Sequence, residues 1–336
     1  MNQEDLMKRR RFLGSSLAGG AMVGAGASAQ DRKATKQLSE PGVGSSTDWH
    51  VDEIIVERKQ AGKPHKGKML AAIQPHCDDI PIYAGGTVLK LIDEGYEGIL
   101  INMSNDEMAG RGATFGEVIR NNELDTREVA RRMGLKEVEF LLYRNHIMDG
   151  AQMLEMRARL IFLFRLYKVD TMLVYDPSGL YERNPDHYTT AKAAEAAAWM
   201  CGSKWDYPEH FKAGLEPYAV KERYYFSRGP QLTNRVVDIS DYIDKKAYVN
   251  VANVTQGPAG DNGARLRRKL AAEGKRLPLL GEDDDTANLQ YTKHIALRRD
   301  RERGQMHGLE YGEYFHYIRP PQSYANRYVA ENTVPL

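Results

Sequence analysis

The chain has 336 residues, of which 42% are apolar and 28% are charged, and its formal net charge is +1 at pH 7. It is long enough to bury a substantial core in one to three domains. The nearly balanced charge lacks the basic excess of nucleic-acid-binding proteins, so no nucleic-acid partner is expected. Two cysteines, Cys77 and Cys201, cannot form a disulfide framework, and a single bridge between them stays open.

The first 29 residues have the layout of an export signal. A basic segment that includes Arg9, Arg10 and Arg11 precedes Phe12 and Leu13, and a Gly/Ala-rich stretch leads to a small-residue cleavage site ending at Ala29. This segment resembles a twin-arginine signal, which implies the twin-arginine export machinery as a partner and a periplasmic or extracellular location. The stretch is too weakly apolar for a retained membrane helix, so no stable membrane insertion is expected after cleavage.

Beyond the signal, apolar runs alternate with helical patterns. Residues 30–66 are polar and are interpreted as a linker and leading segment. Strands are predicted at 69–73, 98–103, 138–143, 171–175 and 224–227, with helices before Gly95 and at 117–133, 153–167 and 188–200. This alternation predicts a Rossmann-like α/β core over 67–230, with a parallel sheet and helices on both faces.

Residues 231–336 are interpreted as a C-terminal extension that packs on the core and shapes the pocket. A further strand is predicted at 236–239 and a helix at 241–252. The polar, Gly-rich segment 257–285 is expected to be a loop, and the charge run 298–303 is expected to be the solvated face of a helix.

Two polar clusters follow predicted strands. His76, Asp78 and Asp79 come directly after the first strand, and Asp186 and His187 follow the fourth. Because ligands bind beyond the carboxyl ends of parallel strands, both clusters are expected at one edge of the sheet, where the site should lie. His76 and Asp79 are three residues apart and would point the same way on a helical turn.

This residue set is suited to metal-assisted hydrolysis. Two imidazoles and a carboxylate, from His76, His187 and Asp79, can hold a divalent ion and leave positions open for water and substrate. Asp78 would point away from that face and could take a proton from the metal-bound water. Taken singly, each of these residues could also be an ordinary loop or capping residue.

The motifs resemble the PIG-L/LmbE-like family of zinc-dependent N-acetylglucosaminyl deacetylases. Its His-Pro-Asp-Asp, five residues and Gly-Gly-Thr correspond to His76-Cys77-Asp78-Asp79 and Gly85-Gly86-Thr87, and its His-Pro-Asp-His corresponds to Asn184-Pro185-Asp186-His187. Arg120 with Glu123, and Asp149 with Gly150, match two further motifs. The likeness covers roughly residues 68–227.

The resemblance implies a role for each matched residue. His76, Asp79 and His187 would bind Zn²⁺ or another divalent ion, and Asp78 would be the general base. Arg120 and Asp149 would hold an N-acetylated sugar or sugar conjugate, and Asp186 would orient its neighbours. Tyr181 would match a tyrosine near the oxyanion only if this chain carries one inserted residue.

Three positions depart from the family pattern. Cys77 replaces a proline, Ile80 replaces a common glutamate, and Asn184 replaces a histidine that would stabilise the tetrahedral intermediate. The Asn184 amide can donate a hydrogen bond to an oxyanion but cannot deliver a proton. Asp78 would then have to protonate the leaving amine itself.

Three alternatives remain. The same metal site could serve a hydrolase of another amide or of an ester, or the protein could be a metal-containing sugar-binding module without turnover. A nucleotide-binding domain is disfavoured because no Gly-x-Gly-x-x-Gly follows the first strand. The oligomeric state stays open, with a homo-oligomer among the options.

Overall fold

The computed structural model describes residues 54–319 and 324–335. The predicted signal at 1–29 and residues 30–53 of the predicted linker lie outside the described residues, so the export interpretation stays a prediction. Residues 54–319 belong to one compact unit of the chain, and residues 324–335 belong to a second. In the described ranges, no helix combines the length and apolar character that a membrane span requires.

The strands and helices alternate through the first unit. The strands are β1 (Ile55–Glu57), β2 (Met69–Gln74), β3 (Glu97–Ser104), β4 (Glu137–Tyr143), β5 (Thr171–Tyr175), β6 (Glu222–Phe226), β7 (Arg235–Asp238) and β8 (Gly312–Ile318). The helices are α1 (Asp79–Tyr83), α2 (Gly85–Asp93), α3 (Phe115–Met133), α4 (Met153–Tyr167), α5 (Pro185–Met200), α6 (Glu209–Lys212), α7 (Ile243–Asn250), α8 (Asn262–Ala272), α9 (Asp284–Tyr291) and α10 (Arg298–Gln305). In the second unit, α11 spans Tyr324–Asn332.

All eight strands form one sheet in the order β1-β7-β8-β6-β5-β2-β3-β4. Every pairing is parallel except those of β8, which runs antiparallel to both β6 and β7. The predicted α/β fold class is therefore confirmed, with one antiparallel strand in an otherwise parallel sheet. The predicted extension contributes β7 and β8 and the predicted leading segment contributes β1, so both segments join the sheet of the predicted core.

The sheet is covered on both faces, as predicted. Along β2, Leu70 and Ala72 belong to one apolar cluster, and Ala71 and Ile73 belong to the other. All four side chains are fully buried. Because successive strand residues point to opposite faces, a strand that is apolar throughout needs cover on both sides. Helices α2, α3 and α7 cover one face, and α4 and α5 cover the other.

The prediction of a loop over 257–285 is wrong, because α8 and the start of α9 lie there. These helices are held together by backbone contact rather than by an apolar stripe that periodicity could detect. A Cβ at Gly263 would come within 2.0 Å of the Ala287 carbonyl oxygen, so only glycine allows the two backbones to approach this closely. The Ala264 N–H donates to Asn288 Oδ1 at 2.8 Å.

A buried ionic cluster ties the C-terminal strand to the start of α2. Glu313 of β8 accepts hydrogen bonds from the N–H groups of Gly86 and Thr87, both at 2.8 Å, and from the Thr87 hydroxyl at 2.6 Å. A carboxylate at a helix N-terminus satisfies N–H groups that have no partner within the helix. Gly86 leaves room for Ile239, whose Cγ2 would lie 2.7 Å from an added Cβ.

Lys246 neutralises this cluster. Its ammonium, fully buried, contacts Glu313 at 2.6 Å and Asp300 at 2.5 Å. Asp300 is also buried, which corrects the expectation that the run 298–303 is wholly solvated. Burial raises the pKa of Asp300 to about 6, although the Lys246 charge opposes that rise. One cation therefore serves two buried carboxylates.

We expect Lys246→Met to lower the free energy of unfolding by about 3–5 kcal/mol, because it leaves two buried carboxylates without a cation. Urea denaturation of this variant and of Lys245→Met, which changes an exposed neighbour, would measure the difference. A raised folded-state pKa favours folding only while the group stays protonated. At about pH 5 Asp300 is largely protonated and does not need the Lys246 cation. The loss of unfolding free energy should thus be smaller at about pH 5 than at about pH 8. Equal stability of the two variants would contradict this account.

Candidate metal centre

The site forms where two neighbouring parallel strands end. β2 pairs with β5, so the turn that follows Gln74 lies beside the loop that leads from Tyr175 to α5. His76 lies in the first segment and His187 in the first turn of α5. The two predicted clusters therefore meet at one edge of the sheet, as the parallel topology requires.

Three side chains converge there. The ligand atoms of His76, Asp79 and His187 all lie within 4.8 Å of one another, and the three residues are buried. His76 Nδ1 lies 3.1 Å from His187 Nε2 and 3.4 Å from Asp79 Oδ2, and His187 Nε2 lies 3.7 Å from Asp79 Oδ1. The His76 N–H also donates to Asp79 Oδ2 at 3.0 Å, which fixes the carboxylate across the turn.

This donor set fits a divalent metal ion. Four ligands about 2.0–2.1 Å from a tetrahedral zinc ion lie roughly 3.3–3.4 Å apart, close to the separations of these nitrogen and oxygen atoms. Two imidazoles and one carboxylate leave a further position for water or substrate. Burial would raise the pKa of Asp79, but His187 and His76 hold it at about 2, so this carboxylate is ionised at neutral pH.

Asp186 lies behind His76, on the side away from the other candidate ligands. Its Oδ2 is 2.9 Å from His76 Nε2, and the carboxylate accepts the N–H groups of His146 at 2.6 Å and Met148 at 3.2 Å. A carboxylate on the second ring nitrogen fixes the tautomer and the orientation of a metal-binding histidine. Asp186 therefore lies where it could orient the His76 ring, and the role that the resemblance implied stays a prediction.

Tyr175 was missed by the sequence analysis. Its hydroxyl donates to Asp79 Oδ1 at 2.6 Å, and its ring stacks on that of His187 with centroids 4.2 Å apart. It therefore holds two of the three candidate ligands. Tyr175 is the last residue of β5, at the same edge as His76, so the rule that located the polar clusters could also have found it.

Asp78 is half-buried beside the three candidate ligands. Burial and the neighbouring Asp79 charge raise the pKa of Asp78 to about 7. A Cβ on Gly257, which has φ +91°, would lie 2.8 Å from Asp78 Oδ2. The segment after α7 thus packs closely against Asp78, the predicted base. No motif in that segment indicated this contact.

A buried network of hydrogen bonds holds the turn that contains His76. Gln74 donates to Asn102 Oδ1 at 2.9 Å and accepts the Ile80 N–H at 3.1 Å. Asp106 Oδ2 accepts the Cys77 N–H at 3.2 Å, a bond that a proline at that position could not donate. Because the network is buried and directional, it holds the turn in one conformation.

Cys77 and Cys201 are both free and buried, which answers the question of a bridge between them. Burial raises the pKa of both thiols, so neither is activated as a nucleophile. The Cys77 thiol contacts Asn122 Oδ1 at 3.4 Å and accepts from Gln256 Nε2 at 2.9 Å. Cys77 therefore joins the His76 turn to the segment after α7.

Asn184 and Tyr181 have different surroundings. Asn184 caps α5 through a bond from the Asp186 N–H to its Oδ1 at 3.0 Å. Tyr181 is 85% exposed, and among residues 54–319 it makes no ring contact or hydrogen bond with the candidate ligands. The structure thus does not bring Tyr181 into the cluster.

The predicted substrate residues are exposed. Arg120 lies on the solvent side of α3, and Asp149 lies in a short 3₁₀ turn at Met148–Gly150, where the Tyr188 hydroxyl donates to it at 3.5 Å. Asp149 is adjacent to Met148, whose N–H binds Asp186. That turn therefore connects a surface carboxylate with the residue behind His76.

We expect zinc to bind to the full chain at one ion per chain, and His187→Ala to weaken binding by more than about 100-fold, because it removes one of three protein ligands. Competition with a chromophoric chelator measures both values. His294→Ala is the control, because His294 lies outside both sequence motifs and is not one of the three candidate ligands. Equal zinc affinity of the two variants would place the ion elsewhere.

The comparisons with known proteins agree on the region that contains the site. The model of the family described as PIG-L: GlcNAc-PI de-N-acetylase matches residues 71–198. A diacetylchitobiose deacetylase of Thermococcus kodakarensis is 28% identical over 198 residues, which cover 57% of this chain and 71% of that protein.

Solved structures show the same fold. The N,N'-diacetylchitobiose deacetylase from Pyrococcus horikoshii has a TM-score of 0.59 at 24% identity, covering 75% of this chain and 84% of its own. GalB, the 4-carboxy-2-hydroxymuconate hydratase of a Pseudomonas, has a TM-score of 0.55 at 16% identity, covering 76% of this chain and 98% of its own. Because these two proteins differ in activity, the fold alone does not give the reaction. The segment that the PIG-L model matches, residues 71–198, is the one that carries both motifs.

Proposed function

We propose that this chain is a metal-dependent deacetylase that removes the acetyl group from an N-acetylated sugar or sugar conjugate. The observation that carries the proposal is the convergence of His76, Asp79 and His187 within 4.8 Å, with Asp78 beside them. The similarity to a diacetylchitobiose deacetylase supports the substrate class. Cleavage would yield acetate and a free amine.

His76, Asp79 and His187 would hold the ion, with zinc as the metal that the family resemblance favours. A bound divalent ion would polarise the acetyl carbonyl and increase the acidity of water. The protein supplies the fixed geometry: Asp186 orients His76, and Tyr175 holds Asp79 and packs on His187. Ligands held in this way need little reorganisation when substrate binds.

Asp78 would take the proton from the attacking water. Its carboxylate adjoins the candidate ligand Asp79, so it can accept a proton from water held at the ion and later return it. Asn184 can donate an amide hydrogen bond to the oxygen that becomes negative, but it holds no proton to transfer. The proton on Asp78 would therefore pass to the nitrogen of the leaving amine.

The exposed Arg120 and Asp149 would contact the sugar, where a guanidinium and a carboxylate can bind hydroxyl groups. Another amide or an ester on the same metal site remains the alternative reaction, and sugar binding without turnover remains the alternative function. A substrate panel separates the three.

We expect the zinc-loaded protein to release acetate from at least one of N-acetylglucosamine, diacetylchitobiose or their conjugates. Asp78→Asn should lower kcat by about 10²–10⁴-fold, because the amide cannot accept the proton. Zinc content should not change in this variant. Acetate release by an enzyme-coupled assay and metal analysis of the same samples provide the two measurements.

Three outcomes would contradict the proposal in whole or in part. An Asp78→Asn variant with its zinc and its full rate would remove Asp78 as the base. Tight sugar binding with no acetate release from any substrate would show that the protein is a sugar-binding module and not a deacetylase. Release from simple amides or esters alone would retain the site and change the substrate class.

We expect Gly257→Ala to lower kcat by at least about 10-fold, because the new methyl group would displace Asp78 by a few tenths of an ångström or more. Gly274→Ala is the matched control: Gly274 also has positive φ, at +68°, but has nothing within 4 Å of an added Cβ. Both variants carry the same kind of backbone strain. Equal kcat values would show that the Gly257 contact does not position Asp78.

A further inference from the structure

The two candidate histidine ligands are oriented by different residues. His76 directs Nδ1 towards the other ligands, and its Nε2 contacts Asp186. His187 directs Nε2 towards them, so its Nδ1 faces the opposite way, into the protein. The family motif supplies Asp186 for the first ring, but it supplies no partner for Nδ1 of the second.

That position is occupied by Glu182. Its Oε2 lies 3.2 Å from His187 Nδ1, and the two side chains are only 6% and 3% exposed. Each of these two atoms is buried without a hydrogen bond of good geometry to any described residue. Leaving both unpaired would cost about 1–3 kcal/mol for each group, so a small rotation of the ring that joins them is strongly favoured.

The carboxylate of Glu182 is itself fixed. Its Oε1 accepts the Asn184 N–H at 2.9 Å and a bond from Arg228 Nη2 at 2.6 Å. Arg228 follows β6, and its carbonyl accepts a bond from Arg299 of α10 at 2.7 Å. With one oxygen held by two donors, the other is directed at the histidine ring. The loop before α5 is thus attached to two other parts of the fold.

We infer that Glu182 is a positioning residue that accepts a hydrogen bond from His187 Nδ1–H, and that Arg228 holds it in place. This inference rests on the proposed metal site. The bond selects the tautomer in which Nε2 carries the lone pair that binds the ion. It also makes that nitrogen a stronger donor to the metal. Both candidate histidines would then be backed by a carboxylate, one from the motif and one particular to this loop.

The experiment compares zinc affinity in the full chain by chelator competition. Glu182→Ala should weaken binding by about 10–100-fold, the usual effect of losing a partner behind a ligand. Glu182→Gln should weaken it less, because the one amide oxygen can still accept from Nδ1, although the amide NH2 group then faces the Asn184 N–H and Arg228. Arg228→Met should also have a smaller effect. Glu216→Ala changes an exposed glutamate and should leave affinity unchanged.

A second measurement does not depend on metal. In the metal-free protein, ¹⁵N chemical shifts of the His187 ring, assigned with His187→Ala, should show the proton on Nδ1. In Glu182→Ala this preference should be lost. If Glu182→Ala fails to fold, Glu182→Gln and Arg228→Met carry the test.

Unchanged zinc affinity in every folded Glu182 variant, together with an unchanged tautomer in Glu182→Ala, would overturn the inference and leave the proposed deacetylase intact. Failure of the wild-type chain to bind zinc would overturn the proposed function instead. In that case the tautomer of His187 alone decides whether Glu182 orients the ring.

Discussion

The parallel pairing of β2 with β5 is the constraint on which the site depends. Both strands are short and buried, and each ends at the same edge of the sheet. The chain leaves one strand at the His76 turn and the other just after Tyr175, so neither cluster needs a long loop to reach the other. Rigid strands place catalytic groups more precisely than loops do. Here the ends of the two paired strands bring the His76 turn and the start of α5 close together.

The electrostatics of this edge favour the binding of a cation. Carboxylates outnumber the basic groups that contact them: Asp78, Asp79, Asp106, Asp186 and Glu182 are opposed by two imidazoles and Arg228. Burial and mutual repulsion raise the pKa of Asp78, and burial raises that of Asp106. A divalent ion would supply the missing positive charge and reduce this repulsion.

Most of the fold followed from patterns in the sequence. The helix at 153–167 and the strand at 171–175 have the predicted bounds, and α3 ends at Gly134 in a left-handed conformation, as its stop signal indicated. Periodicity could not predict α8, whose contact with α9 depends on the missing side chain of Gly263. Nor could it predict β8 as an antiparallel insert, since strand order is decided by contacts between residues distant in sequence.

The residues of the site also fall into two groups: those that sequence patterns indicated and those that they did not. The clusters that contain His76 and His187 were visible because their members are close in sequence and follow strands. Glu182 contacts His187 at 3.2 Å, a contact that no spacing rule encodes, whereas Tyr175 could have been found as the last residue of a strand that ends at this edge. The contribution of Gly257 consists only of space beside Asp78. Tyr181, which a motif alignment would include, is directed into solvent.

The place of β8 in the sheet has a consequence for the order of folding. This strand lies between β6 and β7 although it is the last of the eight to be synthesised. Until residue 318 has left the ribosome, β6 and β7 each lack a neighbour, and the Gly86 and Thr87 amides lack the carboxylate that binds them. Open strand edges of this kind invite pairing with other chains. The nascent protein therefore completes this sheet only after residue 318 has left the ribosome, and the edges of β6 and β7 that β8 covers stay open until then.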